Sequence, residues 1–299
     1  MIQINNVTKR FGDFTALQNI SIQVDDGSIY GLVGYNGAGK TTLLKSIAGI
    51  YRPERGEILI NGNQSFDNEA VKQNLFFIPD NFYFLPQATL RSMASFYRGY
   101  YSGWSDDIFY KLTSIFELNP VKRINSFSKG MQRQASLILA LSCCPQTLLM
   151  DEPFDGLDPF KRKLDKKVLL EYLMERDPCI IIASHNLSEI ESLCDHVGLL
   201  NGNGISLSSS TEDIQNDICK YRVVFNYEVT ENDFQAIPHK QFKKSGNIIS
   251  FVSRGNEETI RDQLNELSPL LIETFPLSLE EVFLYEMEDK NYDVTDIFA

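Results

Sequence analysis

A glycine-rich run, Gly34-Tyr35-Asn36-Gly37-Ala38-Gly39-Lys40-Thr41-Thr42, follows the apolar stretch Ile29–Val33 directly and opens a helical pattern over Leu43–Ile50. Its spacing is G-x-x-x-x-G-K-T, and those residue types suit one chemistry. Glycines let the backbone curl until successive N–H groups converge, and the helix that follows adds the positive end of its dipole there. Lys40 can neutralise β- and γ-phosphates, and the Thr41 hydroxyl can ligate Mg²⁺. A glycine turn can also do no more than join strand to helix. The strand–loop–helix setting nevertheless implies that the chain binds a nucleoside triphosphate.

Further groups fall where hydrolysis of such a ligand needs them. Leu148-Leu149-Met150-Asp151-Glu152-Pro153 is an apolar strand ending in two carboxylates. Asp151 can hold Mg²⁺ through water, and Glu152 can polarise an attacking water as general base. Two acids at a strand end can also be a plain polar edge. Asp155-Gly156-Leu157-Asp158 follows at once. His185 stands between the apolar run Ile180–Ala183 and a helix opening Asn186-Leu187-Ser188-Glu189, so its ring should lie at the carboxyl edge of a sheet, where open α/β sheets bind ligands. Ser128 and Gly130, in Ser126-Phe127-Ser128-Lys129-Gly130-Met131-Gln132, begin a long helix. There they serve either as an ordinary cap or as a second anion site.

The elements that must carry these groups can be read from periodicity. Short apolar runs over residues 2–33 predict a small antiparallel sheet leading into the glycine loop. Leu75–Ile78 reads as a buried strand, 89–118 as an aromatic-rich helical region, and Ser128 as the start of a helix that breaks at Cys143-Cys144-Pro145. Strands at Thr147–Met150 and Cys179–Ala183 enclose a helix over 159–175, which implies a parallel α/β core. Strands follow at Tyr221–Tyr227, Ile248–Val252 and Leu270–Phe275, with helices at Glu257–Leu267 and Leu279–Met287. Ser278 and Glu281 have capping-box spacing. Ser208-Ser209-Ser210 and the polar run 211–217 read as a hinge, dividing the chain into 1–210 and 211–299, with a solvated acidic end over Glu286–Asp296.

Composition excludes some functions. The 299 residues suffice for one large domain or two ordinary ones, and a formal charge of −12 disfavours nucleic acid as a main partner. The longest apolar candidate, Ser136–Met150, is broken by Ser142, Pro145 and Gln146, so no span of a bilayer is expected. The N-terminus lacks the basic and apolar regions of a signal peptide. Five cysteines with no C-x-x-C pair predict buried thiols in a reducing compartment, and three scattered histidines suggest no metal site.

In motif order, residues 1–210 resemble the nucleotide-binding subunit of ATP-binding-cassette (ABC) transporters. Gly34–Thr42 is similar to the Walker A loop, Leu148–Glu152 to the Walker B strand and Phe127–Met131 to the signature motif. Asp155–Asp158 resembles the D-loop, His185 the switch histidine, and Phe11 the aromatic that stacks on adenine. The resemblance implies an α/β P-loop ABC ATPase fold: an antiparallel β subdomain, a parallel α/β core, a helical subdomain over about 82–140 and a small α+β C-terminal domain. It implies ATP between two cassettes. Phe11, Gly34, Tyr35, Asn36, Gly37, Ala38, Gly39, Lys40, Thr41, Thr42, Ser128, Gly130, Met131 and Asp158 would bind the nucleotide, with the phosphate loop of one cassette facing Ser128 and Gly130 of the other. Thr41, Asp80 and Asp151 would attend Mg²⁺, and Glu152, His185 and Asp80 would serve hydrolysis. The implied partners are an integral-membrane permease and a second ATP-binding subunit, as a homodimer, at the cytoplasmic face of the cell membrane. The aromatics of 82–116 would receive a permease helix or pack in the core.

Pro276-Leu277-Ser278-Leu279-Glu280-Glu281-Val282-Phe283 is similar to the closing segment of ABC-2-type efflux ATPases, which serve drug, bacteriocin, bacitracin-like peptide and phenol-soluble-modulin exporters. Ser-Lys-Gly-Met suits that group better than Ser-Gly-Gly-Gln. A soluble non-transport cassette ATPase and an importer ATPase are the alternatives. The chain shows neither a second cassette with a basic linker nor an inserted coiled coil. Three departures stand out. Asp80 replaces a usual Gln or Glu and, charged beside ATP, should raise the metal requirement. Tyr35 replaces a common proline, and Arg133-Gln134 inverts a frequent Gln-Arg order.

Overall fold

In the computed structural model, which describes residues 1–287, period-two burial builds a first sheet at the N-terminus. Strands β1 (Ile2–Phe11) and β2 (Phe14–Val24) form an antiparallel hairpin about Gly12-Asp13, with Ile2, Ile4, Leu17, Ile20 and Val24 buried. The run Ile29–Val33, expected to belong to the same sheet, does not. It lies in β3 (Ser28–Val33), which pairs in parallel with strands from far along the chain. Its burial is continuous rather than alternating, the pattern of a strand covered on both faces.

After the glycine loop come α1 (Lys40–Ile47), β4 (Arg55–Ile60), β5 (Asn63–Gln64), α2 (Glu69–Lys72) and β6 (Leu75–Ile78). The first sheet has the order β2-β1-β4-β5. Helices α3 (Leu90–Tyr100), α4 (Asp106–Ile115) and α5 (Lys129–Ser142) then lead to β7 (Thr147–Asp151), α6 (Pro159–Arg176), β8 (Cys179–Ser184), α7 (Leu187–Glu191), β9 (His196–Asn201) and β10 (Gly204–Ser210). The second sheet runs β10-β9-β3-β8-β7-β6. Its register aligns strand ends: Val33 lies opposite Ser184, Asp151 opposite Ala183, and Ile78 opposite Met150. The residues that follow those ends therefore meet at one edge. Leu43, Leu44 and Ile47 of α1 pack into the core with Leu149, Ile181 and Leu200, each such side chain stabilising by about 1.5–3 kcal/mol.

The aromatic helical region 89–118 consists of two helices. The chain breaks at Ser102-Gly103, where a Cβ on Gly103 would meet the Cys143 carbonyl at 2.9 Å, and Ser105 then caps α4 by accepting from the Ile108 amide at 3.3 Å. Its aromatics divide. Tyr97 and Tyr101 pack on Phe76, and Trp104 on the buried Phe109, whereas Phe96, Tyr100 and Tyr110 are exposed.

Helices α5 and α6 meet across a buried polar pair, Gln134 Nε2 donating to Asp165 Oδ1 at 3.1 Å. Burial pushes the Asp165 carboxyl up to about 7, against the opposing effects of that hydrogen bond and of Lys161. The fold thus prefers protonated Asp165, while the unfolded chain has an ordinary carboxyl near about 3.9. This contribution to stability is complete below the unfolded value and is lost as pH rises through about 7. Asp165→Asn is expected to raise stability by about 2 kcal/mol at pH 8 and to change it little near pH 4, as read by urea unfolding at the two pH values.

A second unit begins at Ser209. The polar run 211–217, expected as a hinge, is a helix, α8 (Thr211–Asp217), capped by Ser210 Oγ accepting from the Asp213 amide at 3.0 Å. Strands β11 (Ile218–Val224), β12 (Lys240–Ser245), β13 (Ile248–Arg254) and β14 (Leu271–Pro276) form an antiparallel sheet of order β12-β13-β11-β14. Helix α9 (Glu257–Glu266) contributes Ile260 and Leu264 to a core with Tyr221, Phe225, Phe234 and Phe251. Helix α10 (Leu279–Met287) follows, and the acidic end expected beyond it lies outside the described residues. Among the described residues no helix is long and apolar enough to cross a membrane.

Candidate functional site

Gly39 caps α1 in the left-handed region, φ 107°, with no side-chain cap bond. A Cβ there would meet the Ala16 carbonyl at 2.7 Å, so only glycine lets the loop lie this close to β2. By contrast, α5 and α6 are capped by the side chains of Ser128 and Asp158. The first turn of α1, Lys40-Thr41-Thr42, instead lines a cavity of about 220 Å³ with Asn36, Gly37, Gly39, Phe14, Ala16, Asp80, Asp151 and Glu152. Lys40 is buried, its Nζ donating to the carbonyls of Gly34 at 2.7 Å and Tyr35 at 3.4 Å, with Glu152 Oε1 3.7 Å away. Burial draws its ammonium below the usual lysine value, and the charges of Glu152 and Asp151 oppose that. Thr41 Oγ1 donates to Asp151 Oδ2 at 2.6 Å. Burial raises the Asp151 carboxyl, the Thr41 bond and Lys40 resist, and Glu152 and Asp80 add to the rise.

Glu152 adopts φ 48°, a left-handed conformation unusual for a residue with a Cβ and characteristic of functional sites. Its amide still donates to the Ala183 carbonyl at 2.8 Å, so the turn is anchored to β8. Its Oε2 is 2.9 Å from His185 Nδ1 and accepts from Ser184 Oγ at 3.2 Å and the His185 amide at 3.3 Å. The carboxylate is thus held by the end of β8 and faces Lys40. Such a group can orient a water and take its proton.

Asp80 lies at the same cavity, beyond β6. Its Oδ1, however, accepts from Arg133 Nη2 at 3.0 Å, so its charge is compensated. The expected rise in metal requirement assumed a free carboxylate. Of the remaining expected residues, Gly34 is fixed by crowding, since a Cβ there would meet the Leu200 carbonyl at 2.7 Å, and Ala38 is buried. Phe11 stands edge-on to Tyr51 at 5.3 Å and does not line the cavity, whereas Phe14 does. Ser128, Gly130 and Met131 form the N-terminus of α5 away from the cavity wall, with Ser128 Oγ accepting from the Met131 amide at 3.3 Å. Asp158 caps α6, accepting from the Lys161 amide at 3.0 Å. Sequence reasoning missed Phe14, Ser184 and Arg133. The hydroxyl directly before His185 was the available signal for Ser184.

The donor set fits Mg²⁺, a hard cation that takes oxygen ligands. The Thr41 hydroxyl and Asp151 carboxylate converge, with Asp80 at the same wall. Among the described residues no three or more His, Cys, Asp or Glu side chains gather as an all-protein cage. An ion shared with phosphates needs only one or two protein oxygens.

A family model described as "ABC transporter" matches residues 17–155. The chain is similar to the ABC transporter ATP-binding protein YtrB of Bacillus subtilis (strain 168), 28% identical over 97% of this chain and 99% of the relative. It is 30% identical to the Nod factor export ATP-binding protein I of Rhizobium sp. (strain N33), over 95% of each chain. It is 32% identical to the sulfate/thiosulfate import ATP-binding protein CysA of Synechocystis sp., over 71% of this chain and 61% of that relative. A solved structure titled "Structure of ATP binding subunit of ABC transporter" superposes with a TM-score of 0.67 at 26% identity, over 72% of this chain and 92% of that one.

Proposed function

The chain belongs to the ATP-binding proteins of ABC transporters, ATPases that energise transport, and from that premise we propose that it drives export of a peptide, toxin or antibiotic through a separate permease. The observation that carries the catalytic part is the convergence of Lys40, Asp151 and Glu152 on one cavity, with the His185 ring held against the Glu152 carboxylate from outside its lining. The export direction draws support from coverage. The Nod factor exporter aligns with 95% of the chain, which takes in most of the unit beginning at Ser209, whereas the sulfate importer aligns with 71%.

In this reading Lys40 and the first-turn amides of α1 bind the β- and γ-phosphates of ATP. Thr41 and Asp151 would hold Mg²⁺, which there supplies neutralisation of phosphate charge. Glu152 orients the attacking water and accepts its proton, and His185 fixes the carboxylate and faces the γ-phosphate. Ser128 and Gly130 of a second copy complete the γ-phosphate site, which makes a homodimer the hydrolytic unit. Hydrolysis removes the contacts that close the pair, and the opening is passed to a permease at the cytoplasmic face of the membrane.

The test is reconstitution in inside-out vesicles with the membrane protein encoded by the adjacent reading frame. ATP outside should drive candidate peptides into the lumen, and those peptides should stimulate phosphate release. ATP-driven depletion of the lumen would make the chain an importer ATPase. Hydrolysis indifferent to the membrane partner would favour the soluble class.

A further inference from the structure

Three carboxylates, Asp80, Asp151 and Glu152, line a cavity read here as the seat of a polyanion, and Lys40 is the cation on its wall. A second cation reaches this group from behind. Arg133 lies on α5, its side chain 10% exposed, with the guanidinium 5.5 Å from the Phe82 ring. Its Nη2 donates to Asp80 Oδ1 at 3.0 Å and stands 3.5 Å from Asp155 Oδ2, while its Nη1 donates to the backbone carbonyl of Glu152. The neighbouring side chain, Gln134, points to Asp165 instead. Helix phase therefore decides which of the two acids receives the charge. The order Arg-Gln delivers the guanidinium to Asp80 and leaves the amide for Asp165.

We propose that Arg133 is a positioning residue for hydrolysis: it neutralises Asp80 beside the phosphate cavity and, through the Glu152 carbonyl, fixes the left-handed turn that aims the Glu152 carboxylate. Both tasks need one planar, multiply donating cation, because the two acceptors lie on different segments. Asp80 and Arg133 are a matched pair. Removing the arginine alone strands a carboxylate against the triphosphate, and removing both charges does not.

The inference rests on the reading of the cavity as an ATP site, and the test separates the two. ATP affinity is measured in EDTA and in Mg²⁺, by displacement of a fluorescent ATP analogue, for the wild type, Asp80→Gln, Arg133→Gln and the double variant. Arg133→Gln should weaken metal-free ATP binding about tenfold, and less in Mg²⁺, which offsets the stranded charge. The double variant should return within about twofold of Asp80→Gln. Loss of affinity that Asp80→Gln does not rescue, or no loss at all, would overturn the proposal. Should Arg133→Gln fail to fold, the double variant carries the test: wild-type affinity in EDTA supports the pairing, and a tenfold loss refutes it. Arg133→Lys keeps the charge but not the fork, so it should retain affinity while lowering turnover; unchanged turnover would remove the second task. A wild type that binds no ATP would overturn the site itself.

Discussion

Replacing Glu152 by Gln is expected to leave ATP affinity within about threefold of the wild type and to cut phosphate release by about 10²–10⁴-fold. Gln fills the same volume and keeps an amide oxygen to accept from Ser184 Oγ and the His185 amide, which hold Glu152 Oε2 at 3.2 and 3.3 Å. The left-handed backbone at φ 48° asks nothing of the carboxylate itself, so the turn should survive. What is lost is the base. The neutral amide cannot take a proton from water. Affinity should rise slightly if anything, because one negative charge leaves a cavity that receives a polyanion. Equilibrium ATP binding and phosphate release on the same preparation separate the two effects. Retained turnover would show that another group activates the water, and lost binding would make Glu152 structural.

The contrast between what could be read from the chain and what could not follows from locality. The glycine loop and the strands β7 and β8 were legible because their signals lie within a few residues: spacing that only a phosphate cradle requires, and unbroken apolar runs that only a doubly covered strand tolerates. The placement of β3 was not, because its neighbours β8 and β9 come some 150 residues later, and no local pattern says which sheet a hydrophobic strand joins. Helix α8 was misread for a different reason. Its composition is polar, yet Ser210 caps Asp213 at the spacing of a helix start, a cue outweighed by the serines before it.

The same reasoning explains the site. Asp151, Glu152 and His185 could be singled out because Asp151 ends β7, Glu152 and His185 each follow a strand end, and strand ends in a parallel sheet share an edge. Arg133 was seen only as an oddity of order. Its partners belong to two separate segments, Asp80 after β6 and the Glu152 carbonyl with Asp155 after β7, and which helix face meets them depends on how α5 packs against α6 through Gln134 and Asp165. That is a tertiary fact with no local signature. Phe14 is similar: the hairpin turn at Gly12-Asp13 sets it at the cavity, three residues beyond the aromatic that the family resemblance singled out.

Lys40→Met should abolish turnover and weaken ATP binding by about 10²-fold or more, while lowering the thermal midpoint only modestly. Methionine fills the buried channel of the lysine stem without strain, so packing is conserved. The ammonium it removes is bonded to the Gly34 and Tyr35 carbonyls at 2.7 and 3.4 Å, and it stands 3.7 Å from the Glu152 carboxylate. Losing it leaves Asp151 and Glu152 facing incoming phosphates uncompensated, on top of the lost contact to the ligand itself. The folded protein is less dependent on it, because burial already draws that ammonium below its usual value and part of its favourable Coulomb energy is offset by desolvation. Lys40→Arg tests geometry against charge. A planar fork is too wide for the slot between two carbonyls of one loop, so affinity should fall nearly as far although the charge is retained. Titration calorimetry with ATP, run beside thermal melts, reads both quantities. An affinity loss below about threefold in Lys40→Met would mean that the amides of the loop bind the phosphates without it.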